Sequence, residues 1–266
     1  MPESIIKPPT QEILAVCDCG DRLIEKYLAC LKTIPIQLGR FEAEIEVYTI
    51  LKLLLRHLES VCQLARHDLV LLPSAIVIAR SAFEAEVRAR WMLKPIDPFE
   101  REVRWVLHLR SATEHFGKLE SNKYVQKQET EIFVKQKSSY DNFDIAISRL
   151  LTERGYKIPK QSPNVWEMLK DVNSPELYQF YIQLSAFTHT NFVAGNLYRK
   201  NLGNGKQTGE FIAAKDWWLP LGVSWKSFFN VSREFLYWIE VDLNSFDAEK
   251  QVEEFDREMT RLLARK

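Results

Sequence analysis

The segment 72–93 is apolar on almost every side of a helix, and two charged residues interrupt its first half. A helix that is apolar all round is normally buried in a protein core. Arg80 and Glu84 stand four residues apart, which makes them neighbours on one helical face. Because a buried charge needs a partner, the pattern predicts a core helix that carries its own ion pair.

Long stretches on both sides of this segment repeat apolar residues at intervals of three and four, as amphipathic helices do. Thr10 and Asp97, the latter followed by Pro98, are typical helix starts. Either Asn164 or the run 173–175 opens the helix that follows the loop after 154. The predicted helices run from Thr10 to Pro35 or Gly39, over about 40–69, 73–94, 98–136, 143–154 and 175–194, and from Pro220 to the C-terminus.

One short region departs from the helical pattern. Asn204-Gly205 is a typical two-residue hairpin turn, so it predicts a small hairpin, or an irregular insertion, near 196–214, with strands at 196–201 and 210–214. No repeat or linker divides the chain. The fold class predicted is therefore all-α, a single domain over 1–266 built as a bundle of about six to eight helices.

Composition and charge limit the kinds of partner and cofactor that we expect. The formal net charge is zero, so nucleic acid would have to bind through a local patch and not through a global field. The first apolar run is interrupted by charges, and no run is long enough for a membrane span, so we expect a cytoplasmic protein with neither signal peptide nor membrane contact. The four cysteines lack zinc-ligand spacing, and we expect reduced thiols with no metal and no cofactor.

A second polar group lies on the predicted helix at 175–194. Tyr181, Ser185 and His189 are spaced by four residues, so their side chains share a slowly drifting stripe. Ser185 either holds the tautomer of His189 through a hydrogen bond or acts as a nucleophile with His189 as its base. The alternative is a histidine hydrogen-bonded in the core.

A third polar stripe flanks the apolar face of the predicted helix at 98–136, where a cleft or simply solvent is expected; it consists of Arg104, His108, Ser111 and His115. The glycine-rich phosphate loop, the dinucleotide fingerprint, the zinc-protease motif and the serine-hydrolase motif do not occur. Their absence disfavours P-loop enzymes, Rossmann oxidoreductases, metal hydrolases and serine hydrolases.

Two short motifs resemble those of a bacterial all-helical family of unknown function. They are R-x-x-F-E, here Arg80 to Glu84, and S-x-x-x-H, here Ser185 to His189, and the resemblance covers about 40–240. That family is similar in its helix pattern to the HEPN superfamily, which includes RNases of toxin–antitoxin and phage-defence systems. The RNase motif of that superfamily, R-x(4–6)-H, has Gln183 where its arginine is expected here; literal matches occur only at Arg101 to His108 and Arg110 to His115.

Two functions follow from this resemblance. In the first, the protein cleaves RNA without metal: His189 is the general acid/base, Arg80 neutralises the phosphate, Glu84 orients Arg80, and Ser185 positions His189. The substrate-binding residues would be Tyr181, Asn191, Arg104 and His108, and a homodimer would form the cleft. In the second, the protein is a non-enzymatic module that binds a nucleotide or a partner protein, with the polar cluster structural and the aromatic segment 217–238 as an interface.

Overall fold

The computed structural model describes residues 6–32, 41–121, 127–189, 194–200, 207–208 and 211–264. These ranges form ten α-helices and one short antiparallel strand pair. Eight of the helices have eleven residues or more, which confirms the predicted all-α bundle. In chain order they are α1 Gln11–Lys32, α2 Glu42–His67, α3 Leu72–Leu93, α4 Pro98–Glu120, α5 Lys127–Glu153, α6 Val165–Asp171, α7 Tyr178–Thr188, α8 Trp218–Trp238, α9 Leu243–Phe246 and α10 Ala248–Ala264.

Helix starts follow the local signals in the sequence. The hydroxyl of Thr10 accepts the backbone N–H of Ile13 at the start of α1, and the carboxylate of Asp97 accepts that of Phe99 at the start of α4. Both candidate starts after the 154–164 loop are used: Asn164 caps α6 through a reciprocal pair of hydrogen bonds with Glu167, and a 3-10 turn at Pro175–Leu177 leads into α7.

The prediction of one long helix over 98–136 is wrong. α4 ends at Glu120, and α5 runs back along it as far as Glu153, which also absorbs the shorter helix expected at 143–154. The reversal is stabilised by ring contacts between Trp105 and Phe143 and by a two-pronged hydrogen bond from Arg110 to the carboxylate of Asp144. Residues 121–126, between the two helices, contain no glycine or proline, so the sequence carries no signal that would have ended the predicted helix there.

The prediction of one helix from Pro220 to the C-terminus is also wrong. α8 ends at Trp238, and the backbone adopts left-handed conformations at Glu240 (φ 60°) and Asp247 (φ 54°) before α10 begins. The side chain of Asp242 caps α9 between these two points. Left-handed backbone at residues other than glycine ends a helix without any obvious sequence signal.

α3 lies at the centre of the core, against α2, α7 and α8. Four alanines at heptad-like spacing on α3 are buried, as their small size permits close helix packing; they are Ala75, Ala79, Ala82 and Ala89. The aromatic side chains of the segment 217–238 complete this core. The prediction that they form an interface is wrong for the buried ones, which are Trp217, Trp225, Phe228, Phe229 and Phe235.

The predicted hairpin region holds one two-residue ladder. β1 Arg199–Lys200 pairs antiparallel with β2 Gln207–Thr208, with Arg199 opposite Thr208. The first strand lies within the predicted 196–201, whereas the second precedes the predicted 210–214. The proposed Asn204-Gly205 turn lies outside the described residues.

Candidate functional site: an aromatic cleft between α6 and α7 beside Arg80

Arg80 and Glu84 form the ion pair that their spacing predicted. Nε of Arg80 donates to Oε1 of Glu84 at 2.9 Å. The arginine side chain is only 12 % exposed, whereas Glu84 is 31 % exposed and remains in contact with solvent. The pair is therefore half buried, with its positive end inside.

The other end of the Arg80 side chain reaches α7. Nη2 donates to the hydroxyl of Tyr181 at 3.3 Å, and the guanidinium carbon lies 4.8 Å from the centre of the Tyr181 ring. A cation over an aromatic face is attracted by the negative centre of the ring. Nη1 is buried and has no hydrogen-bond partner among the described residues. Arg80 is thus strongly oriented, yet one of its donors is unmet.

Tyr181 continues into a row of aromatic rings. Tyr178 stacks on it with ring centres 5.4 Å apart, and Trp166 contacts Tyr178 at 5.1 Å. These three rings, with Asn164 and Val165, line a cleft of about 350 Å³. The Nζ atom of Lys170 lies 5.5 Å from the centre of the Trp166 ring, so a cation stands at each end of the row. An aromatic row between two cations suits a planar ligand that carries negative charge.

Ser185 does not reach His189 as the first hypothesis expects. Its hydroxyl donates to the backbone carbonyl of Tyr181, one turn earlier on the same helix, at 2.5 Å. A helical serine commonly bonds backward in this way. The contact between the Ser185 and His189 side chains, predicted from their spacing, is absent from the hydrogen bonds of the described ranges.

His189 follows the last residue of α7, with its side chain exposed. It stands eight residues after Tyr181, or about 12 Å along the helix axis from the rise per residue of an α-helix. Within the described part of the chain, Arg80 contacts Glu84 and Tyr181 and not His189. Asn191 lies outside the described residues. The catalytic roles assigned to these side chains remain predictions.

Arg104 and His108 belong to different surroundings. Arg104 pairs with Asp171 at 2.7 Å and lines an open groove of about 820 Å³ beside the 155–163 loop. Burial lowers the pKa of its guanidinium, and the carboxylate of Asp171 offsets this only in part. Nε2 of His108 lies 3.4 Å from the carboxylate of Glu46. Both side chains are thus engaged with neighbouring helices.

A buried charge that the sequence interpretation overlooked lies two residues beyond Glu84. Glu86 is 3 % exposed and accepts hydrogen bonds from Ser227 at 2.8 Å and Asn230 at 2.7 Å on α8. Arg90 bonds it at 3.4 Å and also bonds Glu234 at 2.8 Å. Burial alone would lower the pKa of Arg90, but the Glu234 and Glu86 carboxylates raise it. The four-residue spacing of Glu86 and Arg90 was the available signal.

Glu86 also borders a cavity of about 460 Å³ between α3, α7, α8 and α10, whose walls are mainly apolar. All of its described contacts lie within the protein, and both of its oxygens accept hydrogen bonds.

The sequence analysis also overlooked Trp166 and Tyr178, which line the aromatic cleft. Tyr178 could have been found from its three-residue spacing to Tyr181 on the same helix. Trp166 had no such signal, because it comes from another helix.

None of the four cysteines, all of which lie in the described ranges, forms a disulfide, and all are buried. Burial is the main cause that raises the pKa of Cys19. In the ranges that the structure describes, no three His, Cys, Asp or Glu side chains are grouped as metal ligands would be. Over those same ranges, none of the helices combines the length and apolar character that crossing a membrane requires.

Fold and cleft together define an all-α helical bundle whose candidate site joins a half-buried arginine to an aromatic row. The model of the family of unknown function DUF5677 matches residues 47–207, which is more than half of the chain. The chain belongs to that family, and the matched region includes α6 and α7, which line the cleft, and α3, which carries Arg80. No curated protein and no solved structure matches the chain.

Proposed function

We propose that this protein is a non-enzymatic binding module that takes up a nucleotide, either free or within single-stranded RNA, in the cleft between α6 and α7. The observation that carries the proposal is the row of Trp166, Tyr178 and Tyr181 with Arg80 at one end and Lys170 at the other. Every nucleobase has a face that stacks on an aromatic ring, and a nearby cation favours its phosphate.

The ring of Trp166 is the natural stacking surface. It is 40 % exposed, and it lies on a short helix whose start is fixed by the Asn164 cap. Tyr181 is held from behind by Arg80, and a ring held in place loses little conformational freedom when a base stacks on the row. The cleft volume of about 350 Å³ lies within the range of small-ligand sites and suits one nucleotide better than a folded domain.

RNA cleavage is the second candidate, and the exposure of His189 favours it, because a general acid/base must be reachable by substrate. Arg80 argues the other way. Its guanidinium bonds Glu84 and Tyr181 beside the aromatic row, and none of its described contacts is with His189, so the two groups that cleavage requires are not brought together. Binding therefore fits the geometry better than cleavage.

The HEPN-like ancestry, and the bacterial, cytoplasmic defence or toxin setting that comes with it, belong to this proposal. The packing of α3 against α7 supports it, since these helices carry the R-x-x-F-E and S-x-x-x-H motifs and a shared site requires them to meet. A nucleotide-binding relative that has lost the catalytic arginine, with Gln183 in its place, is consistent with that ancestry.

Calorimetric titration with AMP, UMP and a short oligouridine tests the proposal. Trp166→Ala should weaken binding by roughly tenfold, since one base–aromatic stack contributes about 1–3 kcal/mol. Tyr237→Ala is the matched control, because Tyr237 is an exposed ring (73 %) at the far end of α8, and this variant should bind as wild type does. Equal weakening in both variants, or no binding of any probe, would contradict the proposal.

The two RNA-related candidates separate in one further assay. Wild-type protein and His189→Ala are incubated with the same oligouridine in the presence of a chelator, and the product is sized. Intact RNA in both samples is expected of a binding module. Cleavage that depends on His189 would replace binding by metal-independent cleavage as the function of this chain.

A further inference from the structure

α5 carries a regular stripe of side chains that the rest of the described protein leaves exposed, although one of them, Phe143, also contacts Trp105 on α4. Its members follow one another at intervals of four, three, four, three and four residues, which is the heptad spacing of a coiled-coil seam. All six are exposed: Ile132, Gln136, Ser139, Phe143, Ala146 and Leu150. The three large apolar members are 56 %, 42 % and 47 % exposed, in chain order. We call these six residues the α5 stripe.

Apart from Phe143, whose ring also meets Trp105 on α4, the members of the α5 stripe lie away from the contacts with the helix on which α5 packs. The side chains that contact α4 include Phe133, Tyr140 and Asp144. At the angular step of an α-helix, these contacts lie slightly more than a quarter turn, about 110°, from the stripe. In a four-helix bundle each helix meets two neighbours at about this offset. α4 and α5 thus form half of such an arrangement.

The α5 stripe is complementary to itself when it is reversed. Its spacing is symmetric about residue 141, so an antiparallel copy places Ile132 opposite Leu150, Gln136 opposite Ala146 and Ser139 opposite Phe143. The ends pair large with large, and each phenylalanine beside the axis meets a serine. Large residues opposite small ones interdigitate, and the same patch on both subunits is what a two-fold dimer interface requires.

We propose that a second copy of this chain covers the α5 stripe, with the two α5 helices antiparallel and the two α4–α5 hairpins together forming a four-helix layer. The stripe is about 27 Å long, from the rise per residue of a helix. A contact of this length falls below the area of about 800 Å² per partner that is usual in tight complexes. The dimer is therefore expected to be reversible and to depend on concentration.

Sedimentation equilibrium of the full chain over a range of concentrations tests this proposal. Wild type should move from the monomer mass towards twice that mass as concentration rises. Ser139→Lys should remain monomeric, since it places a like charge on both sides of the axis at an exposed position and leaves the ring contact between Phe143 and Trp105 intact. Ile145→Lys is the matched control: Ile145 is 67 % exposed on the same helix but lies outside the stripe, so this variant should still dimerise.

Cross-linking tests the orientation of the two helices. The native cysteines are buried, so engineered exposed thiols are the ones that a short bis-maleimide will join. A mixture of Ile132→Cys and Leu150→Cys chains should give the mixed cross-linked pair, whereas either variant alone should give little. Cross-linking of each variant to itself indicates parallel helices and overturns the proposal, as does a wild type that stays monomeric at every concentration.

Discussion

α3 carries two polar clusters that differ in how completely they are bonded. The Glu86 cluster consists of Glu86, Arg90, Ser227, Asn230 and Glu234. Three hydrogen bonds join it across α3 and α8 and a fourth lies within α3, and the 3 % exposed Glu86 carboxylate accepts three of the four. The Arg80 cluster, which consists of Arg80, Glu84 and Tyr181, joins α3 to α7 and leaves Nη1 without a partner among the described residues.

The difference separates a structural cluster from a candidate site. A buried carboxylate with every oxygen satisfied ties two helices together and has little capacity left for a ligand. An arginine with an unmet donor beside rings that line a cleft can still bind a ligand. The free-energy cost of leaving that donor unpaired is offset by the rest of the fold. We therefore expect the Glu86 cluster to contribute stability and the Arg80 cluster to contribute binding.

The largest effect is expected from Glu86→Gln. Arg90, Ser227 and Asn230 donate to the Glu86 carboxylate, and in the variant an amide NH2 takes the place of one of its oxygens. Because donor then faces donor and the buried charge is lost, the free energy of unfolding should fall by about 3 kcal/mol. Glu84→Gln, the same change two residues earlier at a half-exposed position, should lower it by less than about 1 kcal/mol. Urea titrations of both variants check this. Similar losses in the two would remove the distinction between the clusters.

The next effect is expected from Ser227→Ala, which removes one donor to the Glu86 carboxylate. We expect a loss of about 2 kcal/mol in the free energy of unfolding, the usual range for a hydrogen bond to a charged group. Ser224 and Ser232 are equally buried on α8, but their hydroxyls lack partners among the described residues. Alanine at either position should be neutral or stabilising in the same urea titrations, and a loss there as large as at Ser227 would contradict the assignment.

A smaller effect on stability is expected from Arg80→Met. The change removes an unmet donor together with the charge and leaves the partner Glu84 in contact with water, so the free energy of unfolding should change by less than about 1 kcal/mol. Nucleotide binding should nevertheless weaken in the calorimetric titration. A variant that unfolds as readily as Glu86→Gln would make the Arg80 cluster structural.

The smallest effect concerns Glu102, a buried carboxyl without a paired cation among the described ion pairs. Burial raises its pKa above the ordinary value of 4.5, although the backbone N–H of Ala43 opposes this. The folded state then binds the proton more tightly than the unfolded state, so this group lowers stability as pH rises from 4.5 through the raised pKa. Thermal melting over that range should show the decline in wild type and a shallower one in Glu102→Gln; an equal slope in both would rule Glu102 out as its cause.

Local signals in the sequence predicted most of the helices and, within the site, the pairing of Arg80 with Glu84. Periodicity located α1 to α3, and capping residues such as Thr10 and Asp97 located helix starts, because both depend on neighbours within one or two turns. The same reasoning failed after Glu120 and after Trp238. Those helix ends depend on packing partners that are distant in the chain and on residues other than glycine in left-handed conformations, which the sequence does not reveal.

The site divides in the same way. Arg80 and Glu84 are four residues apart, and a helix alone brings them together. Arg80 and Tyr181 are 101 residues apart, and the Trp166 ring comes from a third helix. The pairing of Glu86 with Ser227 spans 141 residues, so burial of a charge on α3 was foreseeable while its partners were not.

The sequence by itself determined that this chain is an all-α bundle, that α3 is a core helix with a charged pair, and that helices begin where capping residues stand. These features depend on periodicity and on contacts within a few residues. Only the tertiary structure decided which of the charges on α3 is fully satisfied, that Arg80 bonds Tyr181 and not His189 among the described contacts, and that α5 turns back along α4 and exposes a self-complementary stripe. Each of these depends on how separate helices pack, and a linear pattern does not encode the partner that a face will meet.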